Sequence, residues 1–503
     1  MKVLIKTGTA FALCSFALSS LFAVASASPV PGWRGYARDA HHAAGAPAAS
    51  QPINAIHWRT PVDLNPQYAG AELLAHYGSP VITASNTIVV PVKTGATDGF
   101  RVEARKAATG SLVWSFASDY TLPPHDWTPS FNPSLTYQNR LYFPGAGGKL
   151  FYRDNPDTAQ QTVRAAVFYG LKNYLAAKTV YDGAVRINTP VTTDSQGNVF
   201  FGFVVLGSTP LNLQSGLARI GADGRGSWIS ASSAASDGAV TQVGMNCAPA
   251  VSWDLKTVYV AVTGNSTGYL VALDASTLQT KSEVVLKDPA SGNLAHISGD
   301  STASPTIGSD GDVYYGVLES SFGAHNDRGW LLHFDSTLAH AKIPGSFGWD
   351  DTASLVPTRM VPSYGGGSPY LLMTKYNNYA GIGTGDGQNK IAILDPDATE
   401  ADPISGIPVM KEVITKLGIT PDAGHPGGVR EWCINTAVVD RFTSAVLANS
   451  EDGYLYRWNT AANTFSQRIQ LTSGVAESYT PTLIGPDGQV YAINNAVLFA
   501  IGR

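Results

Sequence analysis

Arg430, Glu431 and Trp432, within the stretch GGVREWC, set a cation, an acid and an indole side by side. That combination can hold a polar ligand against an aromatic face. It also suits a plainer role, with the charges paired to loop neighbours and Trp432 packed between elements. His125, Asp126 and Trp127 form a second group, and together with His76 they supply side chains capable of acid–base or metal chemistry. No local spacing of the H-E-x-x-H kind joins them, so only folding can bring them together. Asp300, Tyr77, Tyr479, and Lys375 with Asn377 in TKYNNYAG complete the set. Glu431, Asp126 and Asp300 are the candidate bases or metal ligands. His76, Tyr77, His125, Trp127, Lys375, Asn377, Arg430, Trp432 and Tyr479 are the candidate ligand contacts. Residues 383–390, GTGDGQNK, carry oxygen side chains and glycines but lack the full series of a calcium loop, and read as a hairpin turn. His41 and His42, in an Ala-rich stretch, read as solvated.

Nearly all of these residues lie in or close to segments that precede one recurring step. A small residue followed by proline occurs at Ser79-Pro80, Asn132-Pro133, Thr189-Pro190, Ala248-Pro249, Ser304-Pro305 and Thr480-Pro481, and the first five prolines are 53, 57, 59 and 56 residues apart. A polar turn follows each, and then an apolar pair such as Val258-Tyr259, Val313-Tyr314 or Val490-Tyr491. This spells strand, tight turn, strand, with Gly and Asp giving the turn its backbone freedom. Several units add a third strand ending in Asp274, Asp335 or Asp395, and the first adds a fourth that carries Trp114 after the Thr109-Gly110 turn.

Four antiparallel strands per unit of about 50 residues describe a propeller blade. The fold class is therefore all-β, an eight-bladed propeller, with seven blades as the alternative if residues 354–399, where the pattern blurs, are an insertion. Residues 433–458 form a unit with Asn435 where others carry the step. The last unit stops at Arg503 without a Trp-bearing strand, and NAIHWRTPV near the start offers one in Trp58. Pairing of the two ends would close the ring and leave no free edge. Residues 158–188 exceed what a blade needs and read as an added strand or short helix. In a propeller the segments before the inner strands converge on the channel mouth, so the candidate residues should line one rim.

Residues 1–27 place Lys2 and Lys6 before an apolar run ending in Ala25, Ser26 and Ala27, the pattern of a cleavable export signal. Residues 28–53 form a lead-in, and 54–503 the propeller. The expected location is periplasmic or secreted, and no later segment is apolar enough over its length to span a bilayer. A net charge of −5 argues against nucleic-acid partners. Cys247 and Cys433 are the cysteines beyond the leader; export permits a disulfide, while their equivalent places in blades about three apart oppose one.

The string of Pro step, D-G-x-V-Y, L-x-A-L-D and T-G-x-x-x-W resembles the pyrroloquinoline-quinone-like repeat of quinoprotein β-propellers over nearly all of residues 54–503, and PGWRGYARDAHHAAGA is similar to the lead-in of such chains. The resemblance implies either a ligand-binding or protein-interaction scaffold, with a small molecule, glycan or protein at the channel mouth, or an oxidoreductase acting on an alcohol or sugar. The second would use pyrroloquinoline quinone with Ca2+, the quinone near Trp432 and Glu431, Asp126 or Asp300 as base or metal ligand. The vicinal cysteine pair of the dehydrogenase branch is missing, which places the scaffold reading first.

Overall fold

In the computed structural model, which describes residue 1 and residues 31–73, 75–125, 131–265, 267–297 and 303–503, each small–Pro step leads into a two-residue inner strand. These are Val81–Ile82, Ser134–Leu135, Thr192–Thr193, Ala250–Val251, Thr306–Ile307 and Leu483–Ile484. Proline suits this position because its fixed φ and missing N–H take nothing from the ladder that follows. The apolar pairs enter the second strands, which are buried almost throughout, as in Val199–Val205 and Val490–Asn494. Burial on both faces is what stacked blades demand of their central strands.

Eight antiparallel sheets result, spanning 81–118, 134–167, 192–230, 250–285, 306–334, 354–417, 438–470 and 483–502, here blades 1 to 8. The protein is an eight-bladed β-propeller with four-stranded blades. Residues 354–399 are no insertion: Ser354–Pro357, Tyr370–Tyr376, Lys390–Ala401 and Pro408–Leu417 build blade 6 in full. The step is hidden there because Ala353 stands where six units carry proline; in blade 7 Ala437, not Asn435, holds the same place. In blade 5 the outer position is held only by bridges from Gly345 to Leu331 and from Ala341 to Phe334. Residues 383–389 connect two strands of blade 6, as a hairpin should. The long segment before blade 3 contains both expected elements, helices Leu171–Ala176 and Lys178–Ala184 and a strand, Val185–Ile187, paired with Val205–Phe203.

Strand Ala55–Pro61 pairs with Val497–Gly502 and completes blade 8. Its Trp58 donates through Nε1 to Ala107 O of blade 1 at 2.6 Å, just as Trp114 of blade 1 donates to Pro156 O of blade 2 at 2.7 Å. The two tryptophans thus do the same work, and the ring closes through its chain ends. Gly110, at φ +69°, lies so near Trp58 that a Cβ there would come within 2.6 Å of the indole, so closure requires a glycine.

The lead-in is not solvated. Ile82 N donates to Trp33 O (2.7 Å), Leu135 N to Arg34 O (2.7 Å), Val251 N to Ala40 O (2.7 Å), Ile307 N to His41 O (3.0 Å), Leu355 N to Ala43 O (3.2 Å) and Val439 N to Ala44 O (2.9 Å). Residues 33–46 therefore run as a strap across the inner strands of six blades. His42 is buried with Nδ1 2.6 Å from Pro305 O, and His41 stacks on Trp253 at 3.7 Å. The physical reason is the inner edge of each blade, whose N–H groups would otherwise face the channel without an acceptor.

Candidate functional site at the channel mouth

Except at Ala248, the residue at each inner-strand step carries a hydroxyl or amide, and at Asn132, Ser304, Thr352 and Thr480 the neighbouring blade uses it. Ser79 N donates to Asn132 Oδ1 at 2.6 Å, Ala248 N to Ser304 Oγ at 2.9 Å, Ser304 N to Thr352 Oγ1 at 3.0 Å, and Thr480 Oγ1 to Tyr77 O at 3.0 Å. This belt joins blade to blade and fixes the loops that precede it. Tyr36 of the strap rises into the ring, bonds Thr352 Oγ1 at 2.8 Å and also donates to Asn435 Oδ1. With His76, Tyr77, Asn132, Asn246 and Tyr479 it encloses a cavity of about 30 Å³, room for about one water or the head of a carboxylate.

Blades 6 to 8 concentrate charge beside this cavity. Lys375, near the end of strand Tyr370–Tyr376, is buried, with Nζ 5.8 Å from the ring centre of Tyr479 and 5.6 Å from that of Phe347. No described residue accepts a hydrogen bond from that ammonium, although three donors are available. Asp351 is buried as well, accepts from Thr374 Oγ1 at 2.5 Å, and is pushed up to about 7 by burial, with Lys375 pulling in the other direction. Half-buried Glu431 is pushed up to about 7 by burial and by Glu451. Glu451 accepts from Arg430 Nε at 3.1 Å and from Cys433 Sγ at 2.9 Å, and burial raises it too. His76 stacks on Tyr479, ring centres 3.8 Å apart, and burial followed by Lys375 holds its pKa well below the usual histidine range.

Ligand atoms of Glu431, Cys433 and Glu451 all lie within 4.8 Å of one another. One sulfur and two carboxylates suit zinc better than calcium, which takes oxygen alone. Arg430 already neutralises part of this group. As a set, the mouth offers a cation with no hydrogen bond to a described residue, carboxyls that hold protons near neutrality, and aromatic walls.

The fold thus assembles His76, Lys375, Arg430, Glu431 and Tyr479, drawn from distant parts of the sequence. Other expected residues go elsewhere. Tyr77 reaches the cavity wall, but its hydroxyl donates to Asp63 Oδ2 at 2.9 Å. Asn377 clamps the backbone of Trp432, donating to its O at 3.2 Å and accepting from its N at 3.1 Å. Trp432 itself is a correction: the indole is buried against Tyr456 (5.3 Å) and Phe465 (5.8 Å) in blade 7, so it presents no face to a ligand. His125 approaches the carbonyl of Pro123, with Nδ1 at 2.8 Å. Asp126, Trp127 and Asp300 lie outside the described residues, as do residues 2–30, which hold most of the expected export signal. Cys247 and Cys433 are both free, which corrects the disulfide. Blades 4 and 7 hold them apart, and each sulfur has its own partner, Ala261 N at 3.4 Å for Cys247 and Glu451 for Cys433.

Glu451, Asp351 and Tyr36 were not singled out from sequence. Asp351 occupies in blade 6 the place of Asn435 in blade 7, and only the missing proline concealed it. Glu451 sits in a Ser-Glu-Asp-Gly turn whose acid looks like an ordinary surface charge.

No protein-family model matches the chain, and no curated protein is significantly similar in sequence. Among solved structures it is similar to a europium-containing methanol dehydrogenase, with a TM-score of 0.55 at 9% identity over 92% of this chain and 89% of that one. It is also similar to Sqt1 of Saccharomyces cerevisiae, with a TM-score of 0.51 at 10% identity over 90% and 99%. The comparison with BamB from Moraxella catarrhalis gives 0.42 at 11% identity over 89% and 99%. At such identities the likeness is one of fold alone.

Proposed function

We propose that the protein is an exported binding propeller that takes a small anionic ligand, a carboxylate or similar oxyanion, at the channel mouth. The observation that carries this reading is the buried Lys375 ammonium, which has three donors and no described hydrogen-bond acceptor. Burying an unpaired charge is costly, so such a group is poised for a partner of opposite charge. Asp351 and Glu431, with pKa values of about 7, can donate hydrogen bonds to the same oxyanion while protonated. The charged head would lie between Lys375 and Tyr479, a wall of the cavity that is too small for the rest of the ligand.

Pyrroloquinoline quinone with Ca2+, the cofactor set implied by the resemblance, does not fit the described residues, which leave out Asp126 and Asp300. A fused tricycle needs a pocket of roughly 300 Å³ or more, ten times the cavity described. Trp432 is packed away, the cysteines stand in different blades, and the acidic cluster includes a sulfur. The binding reading is tested by calorimetric titration of acetate, malonate and succinate into the wild type and Lys375→Met, at pH 6 and pH 8. The expected result is saturable binding that weakens at pH 8, where the two carboxyls ionise and repel the anion, and that disappears in the variant. Equal binding by Lys375→Met, or no binding at about 10 mM, the weak end of measurable affinity, would overturn it.

A further inference from the structure

A groove at the seam of blades 2 and 3, built on the second to fourth strands of blade 2 and the third and fourth of blade 3 rather than on the inner strands of the channel, encloses about 850 Å³. It adjoins a second hollow of about 300 Å³, and Arg140 and Tyr142 line both. We propose that this groove binds an acidic oligosaccharide, a chain of sugars carrying carboxylates. A sugar ring presents a face of C–H groups and a rim of hydroxyls, so its site needs aromatic faces beside paired donors and acceptors.

The groove has these parts. Half-buried Trp228 and Tyr152 line the larger hollow, and Tyr152 is already ordered by Arg140, whose guanidinium lies 4.8 Å from its ring centre. Arg140 also holds Asp154 at 2.6 Å, setting a donor and an acceptor side by side as a vicinal diol requires. The Ser227 hydroxyl is buried in the lining and has no hydrogen-bond partner among the described residues. A buried hydroxyl normally finds a partner, so its isolation favours a ligand with hydroxyls of its own.

Charge selects the acidic class. Arg225 is 90% exposed and lies 3.7 Å from Asp223; Arg164 is 60% exposed and lies 3.7 Å from Asp154, which Arg140 already engages. Three arginines against two aspartates leave the groove and its lip positive on a chain of net charge −5. Acidic peptides share the charge but not the alternating hydroxyl rim, which makes them the discriminating control.

The test titrates the mature protein with tetragalacturonate, cellotetraose and tetraglutamate, following tryptophan fluorescence and calorimetry. The expected result is saturable binding of tetragalacturonate that falls with added salt, with cellotetraose weaker and tetraglutamate weaker still. Arg225→Gln, at a side chain too exposed to affect folding, should weaken the acidic sugar about threefold and leave cellotetraose unchanged. Trp228→Phe should weaken both sugars. Tetraglutamate binding at least as tightly as tetragalacturonate would overturn the proposal, as would binding indifferent to both variants or absent for both sugars.

Discussion

Asp402 at the seam of blades 5 and 6 and Asp351 at the nearby channel mouth are buried alike, and their chemistry diverges. Asp402 has His325 Nε2 at 3.2 Å and accepts hydrogen bonds from Ser346, Ser405 and the backbone of Ile404. Burial alone would raise its pKa, but these donors win and hold it well below the ordinary carboxylate range. Around it, Glu319 accepts from the backbone N–H groups of His325, Asp327 and Gly329, and Arg328 donates to Ser346 O at 2.9 Å and Asn377 O at 3.0 Å. That seam is a closed network, in which every charge is answered. At the mouth Asp351 has one hydroxyl donor, the backbone N–H of Lys375, and a lysine ammonium that makes no hydrogen bond to a described residue, and burial wins. Fully answered charges fix a structure, whereas partly answered ones leave something for a ligand to supply.

The largest effect is expected from breaking the closed network. Asp402→Ala should cost about 3–5 kcal/mol, because it strands His325 and Ser346 in the interior; urea unfolding measures it. A change of similar size at Asp351 would erase the contrast between the two regions.

Next comes pH. Asp351 and Glu477 have folded pKa values of about 7 and about 8, raised chiefly by burial above the ordinary carboxylate value near 4. The folded state therefore holds their protons more tightly, so their contribution to stability is complete below about pH 4 and is lost as pH climbs through 7 to 8. A decline of up to about 1.4 kcal/mol per pH unit for each group is expected between pH 4 and its folded pKa, and Asp351→Asn should flatten part of it. Asp402 has the opposite sign, its contribution being lost only on acidification below about pH 4. Unfolding free energies measured from pH 3 to 9 separate the two.

Lys375→Met sharpens the comparison in a different currency. Removing a buried charge that makes no hydrogen bond to a described residue should leave stability within about 1 kcal/mol of wild type or raise it, while abolishing anion binding. Thermal melts with and without succinate would show both. The smallest effect concerns the thiols. Reductant should leave the melting temperature unchanged, and both cysteines should resist iodoacetamide until unfolding, because burial raises Cys247 to about 12 and Cys433 above its ordinary value.

Much of the ring is legible in the sequence because it depends on local signals that repeat. Proline before an inner strand, Gly in the turns and Trp on the outer strand act through φ, turn geometry and a single neighbour, so Trp58 can be matched to Trp114 without seeing either. Blade 6 blurs where Ala353 replaces proline, since the same backbone is reached there without the residue that advertises it. The site was only partly legible. His76, Lys375, Glu431 and Tyr479 could be named as candidates from type and position, but Glu451 and Asp351 look like ordinary surface acids until the blades close around them. Trp432 erred the other way, because an indole beside charges signals a ligand platform as readily as a packing residue, and only its contacts with Tyr456 and Phe465 decide.

The sequence by itself determined the repeat, the four-stranded blade and the joining of the chain ends, all consequences of short-range backbone preference. Tertiary structure alone decided the path of residues 33–46 across the inner strands, the separation of the two cysteines, and which of many acids lost their water. Those outcomes depend on burial and on partners hundreds of residues away, and neither is encoded at the position where its effect is felt.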